Sequence, residues 1–323
     1  MGVMKKFKWK TDGKTRLDSF LRTMIPSSLS LDVSNSKIRR LIMAGCVTVN
    51  GAQCRVPAFV IGKGDSIEVF IDEEKFLYEK KPQDIDFVLT QKDVVYEDDY
   101  LIVVNKPAFL PAEETIVEGR KNLHGCVVDY LWAKNPSLRN PPYAGIMHRL
   151  DRETSGSILF TKQRSVNKRI SEMFQTHEIK KVYRAVAECV RGKKNPGKSG
   201  EFIVEEYIGR VSPKSSGCKM GVVPESRGGQ YSHTRFVVVQ EKDGLCYVDC
   251  HLKTGRTHQI RLHLSLENMP ICGDELYGGS KGFSELGNRI MLHSMYLEFE
   301  HPVTGQLVKA QSPFPSPLFG ELS

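Results

Sequence analysis

From residue 93 onward, β-rich runs outnumber helical ones, and the helices do not alternate with strands. A chain with that order cannot build a βαβ array. It is left with an α+β fold on a mixed or mainly antiparallel sheet. LCYVDCHL (245–252) shows the period plainly, with Cys246, Val248, Cys250 and Leu252 on one face of a strand. Strands are predicted on both sides of Glu97–Asp99 within 93–111, at 157–162 and at 180–190. Two more flank an Asp-Gly turn in 232–255, and 289–305 reads as a further strand pair. Helical spacing marks 122–135, 165–179 (Ile170, Met173 and Phe174 inward) and 256–268, which Pro270 ends. Residues 191–232, rich in Gly, Pro, Ser and Lys, read as hairpins and loops.

The first 71 residues have a different character. TRLDSFLRTMI (15–25) is an amphipathic helix that Pro26 is expected to end. SNSKIRRLIMAG (34–45) is a second, with Ile38, Leu41 and Ile42 as its apolar stripe and Gly45 at its stop. CVTVNG (46–51) is a strand entering an Asn-Gly turn, and 60–70 holds a turn at 62–65 and a closing strand. The chain carries a net charge of +8, and residues 1–70 hold 12 Lys and Arg against 5 Asp and Glu. Nearly all the excess therefore lies here, which favours a polyanionic partner. Lys37, Arg39 and Arg40 fall mostly off the apolar stripe, so they are candidate phosphate contacts. Residues 72–92, charged and carrying Pro82, read as a linker to a larger domain over 93–316.

MGVMKKFKWKTDG has lysines but no apolar segment behind them, so no secretory signal is expected. No run reaches the roughly 18 apolar residues of a membrane span. Eight cysteines are scattered without a CxxC pair. The expectation is a cytoplasmic protein with its cysteines as thiols. Cys246, Cys250, His251 and His258 could be drawn as a zinc set, but the strand period makes Cys246 and Cys250 small core residues instead, and no metal is expected.

HRLDRETSG (148–156) packs His148, Arg149 and Arg152 around Asp151. A surface salt bridge needs one partner and contributes only about 0–1 kcal/mol, so this density suggests a site. An aspartate can act as nucleophile, general base or ligand, and an arginine is the natural group to hold it ionised. TGRTHQIRLHL (254–264) places His258, Arg261 and Leu262 near one helical face, with Thr257 as the expected cap. Arg261 is the candidate partner of Asp151. In KKVYRAV (180–186), Tyr183 is a candidate platform for a base. His148, Asp151 and Ser155 have hydrolase-triad chemistry, but three neighbours on one loop rarely converge, and no G-x-S-x-G elbow exists. No phosphate-binding glycine loop opens a helix, so no nucleotide cofactor is indicated.

Together these motifs resemble a known family. VVNKP (103–107), HRLDRETSG, KKVYRAV, TGRTHQIRLHL, PICGDELYGG (270–279) and LHSMYLEFEHPVTG (292–305) are similar, in order and spacing, to the RluA-type pseudouridine synthases. LIMAGCVTVNG followed by GDSIEVF resembles an S4 RNA-binding domain, over 14–71. The resemblance implies a mixed, mainly antiparallel sheet with flanking helices and a site in a central cleft. It implies isomerisation of uridine in RNA to pseudouridine, without cofactor or metal, by a protein expected to be monomeric. Asp151 matches the catalytic aspartate, Tyr183 the tyrosine against the target base, and Arg261 the basic partner of the acid. Leu292 falls near the apolar wall. His148, Arg149 and Arg152 would support the loop and approach RNA, with Arg149 filling the gap of a flipped base, and His258 would join the substrate contacts. The S4 domain favours ribosomal over transfer RNA. The reading from another class is an inactive RNA-binding or ribosome-assembly factor. One departure stands out: where the family usually continues its opening motif with Ala-Gly, this chain has Ala108-Phe109.

Overall fold

The computed structural model describes residues 4–29, 33, 35–72, 85–114, 120–189, 196, 200–212, 218–242, 244–282 and 288–313. The chain divides into two compact units, Met1–Pro82 and Gln83–Ser323.

The first unit runs β1 (Met4–Lys10), β2 (Thr15–Arg16), α1 (Leu17–Leu29), α2 (Asn35–Met43), β3 (Val47–Val49), β4 (Ala52–Gln53), β5 (Val60–Ile61) and β6 (Ser66–Asp72). Its main sheet has the order β1-β6-β3-β4, with β2 paired to β5. Leu17, Leu21 and Ile25 of α1 meet Ile38, Leu41 and Ile42 of α2 over Val47, Ile67 and Val69. Asn50 and Gly51 take positive φ, making the expected hairpin turn between β3 and β4. Two features differ from expectation. α1 passes through Pro26 to Leu29, because Ile25 and Leu29 anchor it to the core on both sides of the missing donor. MKKFKWK, to which the sequence assigned no element, is a strand: Phe7 and Trp9 turn to the core while Lys6 and Lys8 reach Glu68 across the ladder.

The second unit contains β7 (Val94–Glu97), β8 (Leu101–Lys106), α3 (Leu123–Lys134), β9 (Gly145–Ile146), β10 (Ser155–Thr161), α4 (Asn167–Gln175), β11 (Lys180–Glu188), β12 (Glu201–Arg210), β13 (Met220–Val222), β14 (Gln230–Lys242), β15 (Leu245–Leu252), α5 (Gln259–Leu266), β16 (Leu292–Glu300) and β17 (Leu307–Gln311). The strands form one sheet in the order β13-β12-β14-β15-β11-β16-β10-β8-β7, with β17 on β16 and β9 on β10. Every ladder is antiparallel except β10–β16. Both faces are covered in the middle. Ile102, Val104, Ile158 and Phe160 pack under α3, while Leu101, Val103 and Leu159 pack under α4. That explains why β8 and β10 read as continuous apolar runs rather than alternating ones.

Residues 73–84 of the expected linker lie outside the described residues. Its C-terminal part belongs to the second unit, where Leu89 is buried in the core and Cys126 Sγ donates to Phe87 O. The region expected as hairpins and loops contains the ten-residue strand β12, whose alternation of charged and apolar residues pairs it with β14. Residues 289–305 form one strand and a turn, and the second strand starts only at Leu307. The expectation of thiols throughout is corrected at one pair. Cys189 and Cys246 form a disulfide with Cα atoms 6.7 Å apart, because the β11–β15 ladder aligns Ala187 with Cys246. Cys250 is a buried thiol, as the strand period required. Among the described residues no helix is long and apolar enough to cross a membrane.

Candidate active site

Asp151 sits on the loop just before β10, and the start of that strand fixes it. Ser155 and Gly156 pair in parallel with His293 and Ser294 of β16. Gly156 has φ +111, and a Cβ there would collide with the Ser294 backbone. The glycine of TSG is therefore a requirement of strand contact. Ser155 Oγ meets His293 Nδ1 at 2.7 Å and accepts from Arg289 Nη2 at 2.7 Å. The other side of the loop is tied to Lys106, which is fully buried. Its ammonium donates to the carbonyls of Pro107, Leu110 and Arg152 at 2.8–3.0 Å. Burial, and then the Arg289 charge, push its pKa down to about 7, with Asp151 opposing. Three carbonyls match the three N–H groups of the ammonium form.

The ion-pair partners of Asp151 come from far downstream. Arg261 Nη1 donates to Asp151 Oδ2 at 3.3 Å, and His258 Nε2 lies 3.7 Å from the same oxygen. The Arg261 side chain is 5% exposed and the Asp151 side chain 29%, so the acid faces solvent from a buried cation. Arg261 is held by Asp274, whose side chain is 1% exposed: Nε to Oδ2 at 2.6 Å and Nη2 to Oδ1 at 2.8 Å. Burial would lower the Arg261 pKa, but Asp274 first and Asp151 second outweigh it and raise it. The guanidinium also lies 5.1 Å from the centroid of the Tyr277 ring. Tyr277 in turn hydrogen-bonds His258 Nδ1 at 3.0 Å and accepts from Met220 N.

α5 begins at Gln259, so His258 precedes it rather than sharing its face with Arg261. His258 adopts φ 54 and gives no side-chain cap. The cap position is His258, not the expected Thr257, and Gln259 Oε1 braces the preceding turn by accepting from Arg256 N and Thr254 Oγ1. Burial holds the His258 pKa below its ordinary value, with Asp151 pulling it back up.

Tyr183 lies on β11 beside a bulge and packs in one apolar cluster with Leu150, Ile260 and Leu292. Burial raises its pKa, with the Ser294 side chain opposing and Asp151 adding to the rise. The phenol is therefore neutral at ordinary pH. Leu292 is buried where β16 starts.

The cations adjacent in sequence serve other purposes. His148 is turned inward, its Nε2 accepting from Leu159 N at 2.9 Å and its ring against Phe174. Burial pushes its pKa down to about 3, so it supports the loop as a neutral ring, not as a cation toward RNA. Arg149 is exposed and paired with Glu113 at 2.6 Å. Arg152 pairs with Glu153 and lies 5.2 Å from the centroid of Phe109, which takes φ 64 at the position where a glycine was expected.

In the first unit, Arg39 lines a cleft of about 320 Å3 with Arg16, Arg22, Asp18 and Asn35. Lys37 is half-buried on α2, and the Arg40 side chain lies outside the described residues. Among the described residues no group of three or more His, Cys, Asp and Glu is placed to hold a metal ion.

Residues 100–266 match the RNA pseudouridylate synthase family, and residues 15–67 match the S4 domain. The chain belongs to the RNA pseudouridylate synthase family. Ribosomal large subunit pseudouridine synthase D of Neisseria meningitidis serogroup A is 34% identical over 322 residues, covering 95% of this chain and 78% of that protein. The protein of the same name from Escherichia coli K12 is 33% identical, covering 93% and 87%. RNA pseudouridine synthase 2, chloroplastic, of Arabidopsis thaliana is 32% identical, covering 95% and 79%. The fold is shared with Human RNA Pseudouridylate Synthase Domain Containing 4 at a TM-score of 0.54, 22% identity, and coverage of 69% of this chain and 89% of that one.

As a pseudouridine synthase, the chain uses motifs whose individual residues the sequence had not assigned. Asp274 and Tyr277 belong to PICGDELYGG, and Lys106 to VVNKP. The signal was there in each case as a charged or aromatic residue inside an apolar stretch. Gly273, at φ +83, lets the turn before Asp274 approach the Arg289 backbone where a Cβ would collide.

Proposed function

We propose that this pseudouridine synthase isomerises uridines in ribosomal RNA, with Asp151 as the essential carboxylate. The observation that carries the reading is a part-exposed acid gripped from behind by a buried arginine, beside a buried neutral tyrosine. In the reaction the C1′–N1 bond breaks, the uracil turns, and a C1′–C5 bond forms while the C5 hydrogen leaves as a proton. Arg261 keeps Asp151 ionised for that step, and Tyr183 with Leu292 provides the wall for a base taken out of the stack, an extrusion that costs a few kcal/mol when the base is paired. Arg149, exposed on the loop, and the more covered Arg152 meet flanking phosphates, and Arg39 with Arg16 and Arg22 supplies a second RNA contact on the S4 unit. Ribosomal RNA is favoured over transfer RNA by the names of the bacterial relatives, and the cytoplasm is the compartment that accords with it.

Large-subunit ribosomal RNA tritiated at uracil C5 tests the reading. Wild type should release tritium to water, and Asp151→Asn should bind the RNA without releasing any. Binding without release by wild type, on ribosomal and transfer RNA alike, would leave an RNA-binding assembly factor as the better account.

A further inference from the structure

Three cations beside the Asp151 loop have no part in the site described above. Lys181 on β11 is half-buried, its ammonium 5.7 Å from the centroid of Phe174. The same ring packs, tilted, against His148 at 4.9 Å between centroids, three residues from Asp151. A Cβ on Gly255 would stand 3.3 Å from Lys181 Nζ, so the ammonium rests on the bare backbone of the turn that leads to α5. Lys253 and Arg256 are exposed on that same turn. Arg256 Nε donates to Tyr231 O at 3.1 Å, which fixes the root of its guanidinium. His177, exposed near them, has its pKa lowered first by burial and then by Lys181, Lys253 and Arg256.

Among the described residues, none of the three cations forms an ion pair with a carboxylate. Glu205, within electrostatic reach of Lys253, is committed to Tyr231 and His233. Several nearby cations of the sheet are matched by contrast: Lys162 with Glu97, Lys180 with Glu298, Arg184 with Asp249, Arg235 with Glu201. Like charges gathered without a counter-ion oppose folding, and a polyanion that binds there removes the repulsion.

We propose that Lys181, Lys253 and Arg256 form a phosphate track that holds the RNA strand entering the Asp151 site. The inference rests on the proposed action on RNA and adds the residues that seat its backbone. Each phosphate neutralised contributes about 0.7–0.9 to the slope of log affinity against log salt. Three contacts therefore make affinity fall about 20- to 40-fold more between 50 and 200 mM salt than it does without them.

The test uses the full chain and a large-subunit ribosomal RNA transcript tritiated at uracil C5. Filter binding at 50 and 200 mM salt is compared for wild type, Lys181→Gln/Lys253→Gln/Arg256→Gln and Lys180→Gln. The triple variant should lose the 20- to 40-fold difference, at about threefold for each residue changed singly. It should melt no lower than wild type, since a repulsion is relieved. Lys180→Gln removes a neighbouring charge that is already paired, and should keep the wild-type slope. The proposal is overturned if the triple variant keeps that slope, or if Lys180→Gln flattens it as much as each single change on the track. If wild type binds but releases no tritium, the catalytic reading fails while the track is still judged by its slopes. If wild type does not bind, both fail.

Discussion

Asp274 decides whether Arg261 can serve Asp151. The guanidinium spends Nε and Nη2 on Asp274 and presents Nη1 to Asp151, so one carboxylate sets the angle at which the other is met. Both members of the inner pair are buried, with side chains 5% and 1% exposed. Removing one partner of such a pair costs about 3–5 kcal/mol, because the remaining charge is stranded. For a unit of this size each kcal/mol moves Tm by about 2–4 °C, so Asp274→Ala should lower Tm by roughly 6–20 °C. Asp274→Asn keeps the shape and one acceptor and should fall near the lower end. Tritium release at saturating RNA should drop at least tenfold in Asp274→Asn, the equivalent of about 1.4 kcal/mol in the barrier, while RNA affinity holds. The double variant Arg261→Met/Asp274→Leu separates folding from chemistry. Replacing both charges by apolar groups should recover most of the lost Tm and none of the turnover. If Asp274→Asn melts within 2 °C of wild type and turns over normally, the claim that Asp274 positions Arg261 is refuted.

Lys106→Met should leave the buried Leu110 carbonyl without this donor, at about 1–3 kcal/mol, with smaller costs at the part-buried carbonyls of Pro107 and Arg152, and loosen both segments they belong to. Hydrogen exchange should accelerate in 107–113 and 149–154, and unchanged protection there would sink the idea. His263 and His293 are buried with pKa values pushed down to about 4 and about 3 by desolvation. The unfolded chain takes up protons below about pH 6.5 where the folded one does not, so stability is full above 6.5 and is lost as pH falls toward 4. Each group accounts for up to about 2 kcal/mol between pH 6.5 and 5, and urea melts of wild type and His263→Gln at the two pH values should differ by one such increment. Phe109→Gly relieves a left-handed residue worth about 1–2 kcal/mol but removes the ring under Arg152, worth about 0.5–1 kcal/mol. Tm should stay within a few degrees while RNA affinity weakens; equal affinity would show that Arg152 needs no brace.

What was legible in the sequence was periodic or local. β8, β10, β11 and β15 followed from their apolar periods, and the Asn50-Gly51 hairpin from its turn chemistry. α3 followed likewise from its spacing, and the structure adds the Asn122 cap. β1 was hidden because its outward lysines find their counter-charge only in Glu68, across the ladder. β12 was hidden by flanking glycines and serines, and by an outer face whose charges are satisfied only by β14: Glu201 by Arg235, Glu205 by His233. The Cys189–Cys246 pair depends on a strand register that no spacing of 57 residues reveals.

The same distinction explains HRLDRETSG. Four charged or titratable side chains in five residues invited the inference that the cations surround the acid. The backbone forbids it. A tight loop that ends in a strand sends successive side chains in different directions: His148 inward to Leu159, Arg149 outward to Glu113, Arg152 sideways over Phe109. The carboxylate is left facing the one direction in which none of them points, and α5 fills that direction with Arg261 from 110 residues away. Motif density drew attention to Asp151, but the electrostatics of Asp151 are set by tertiary packing. A substitution at Asp274, which never touches Asp151, should therefore disturb the acid more than one at Arg149, which is two residues from it in sequence.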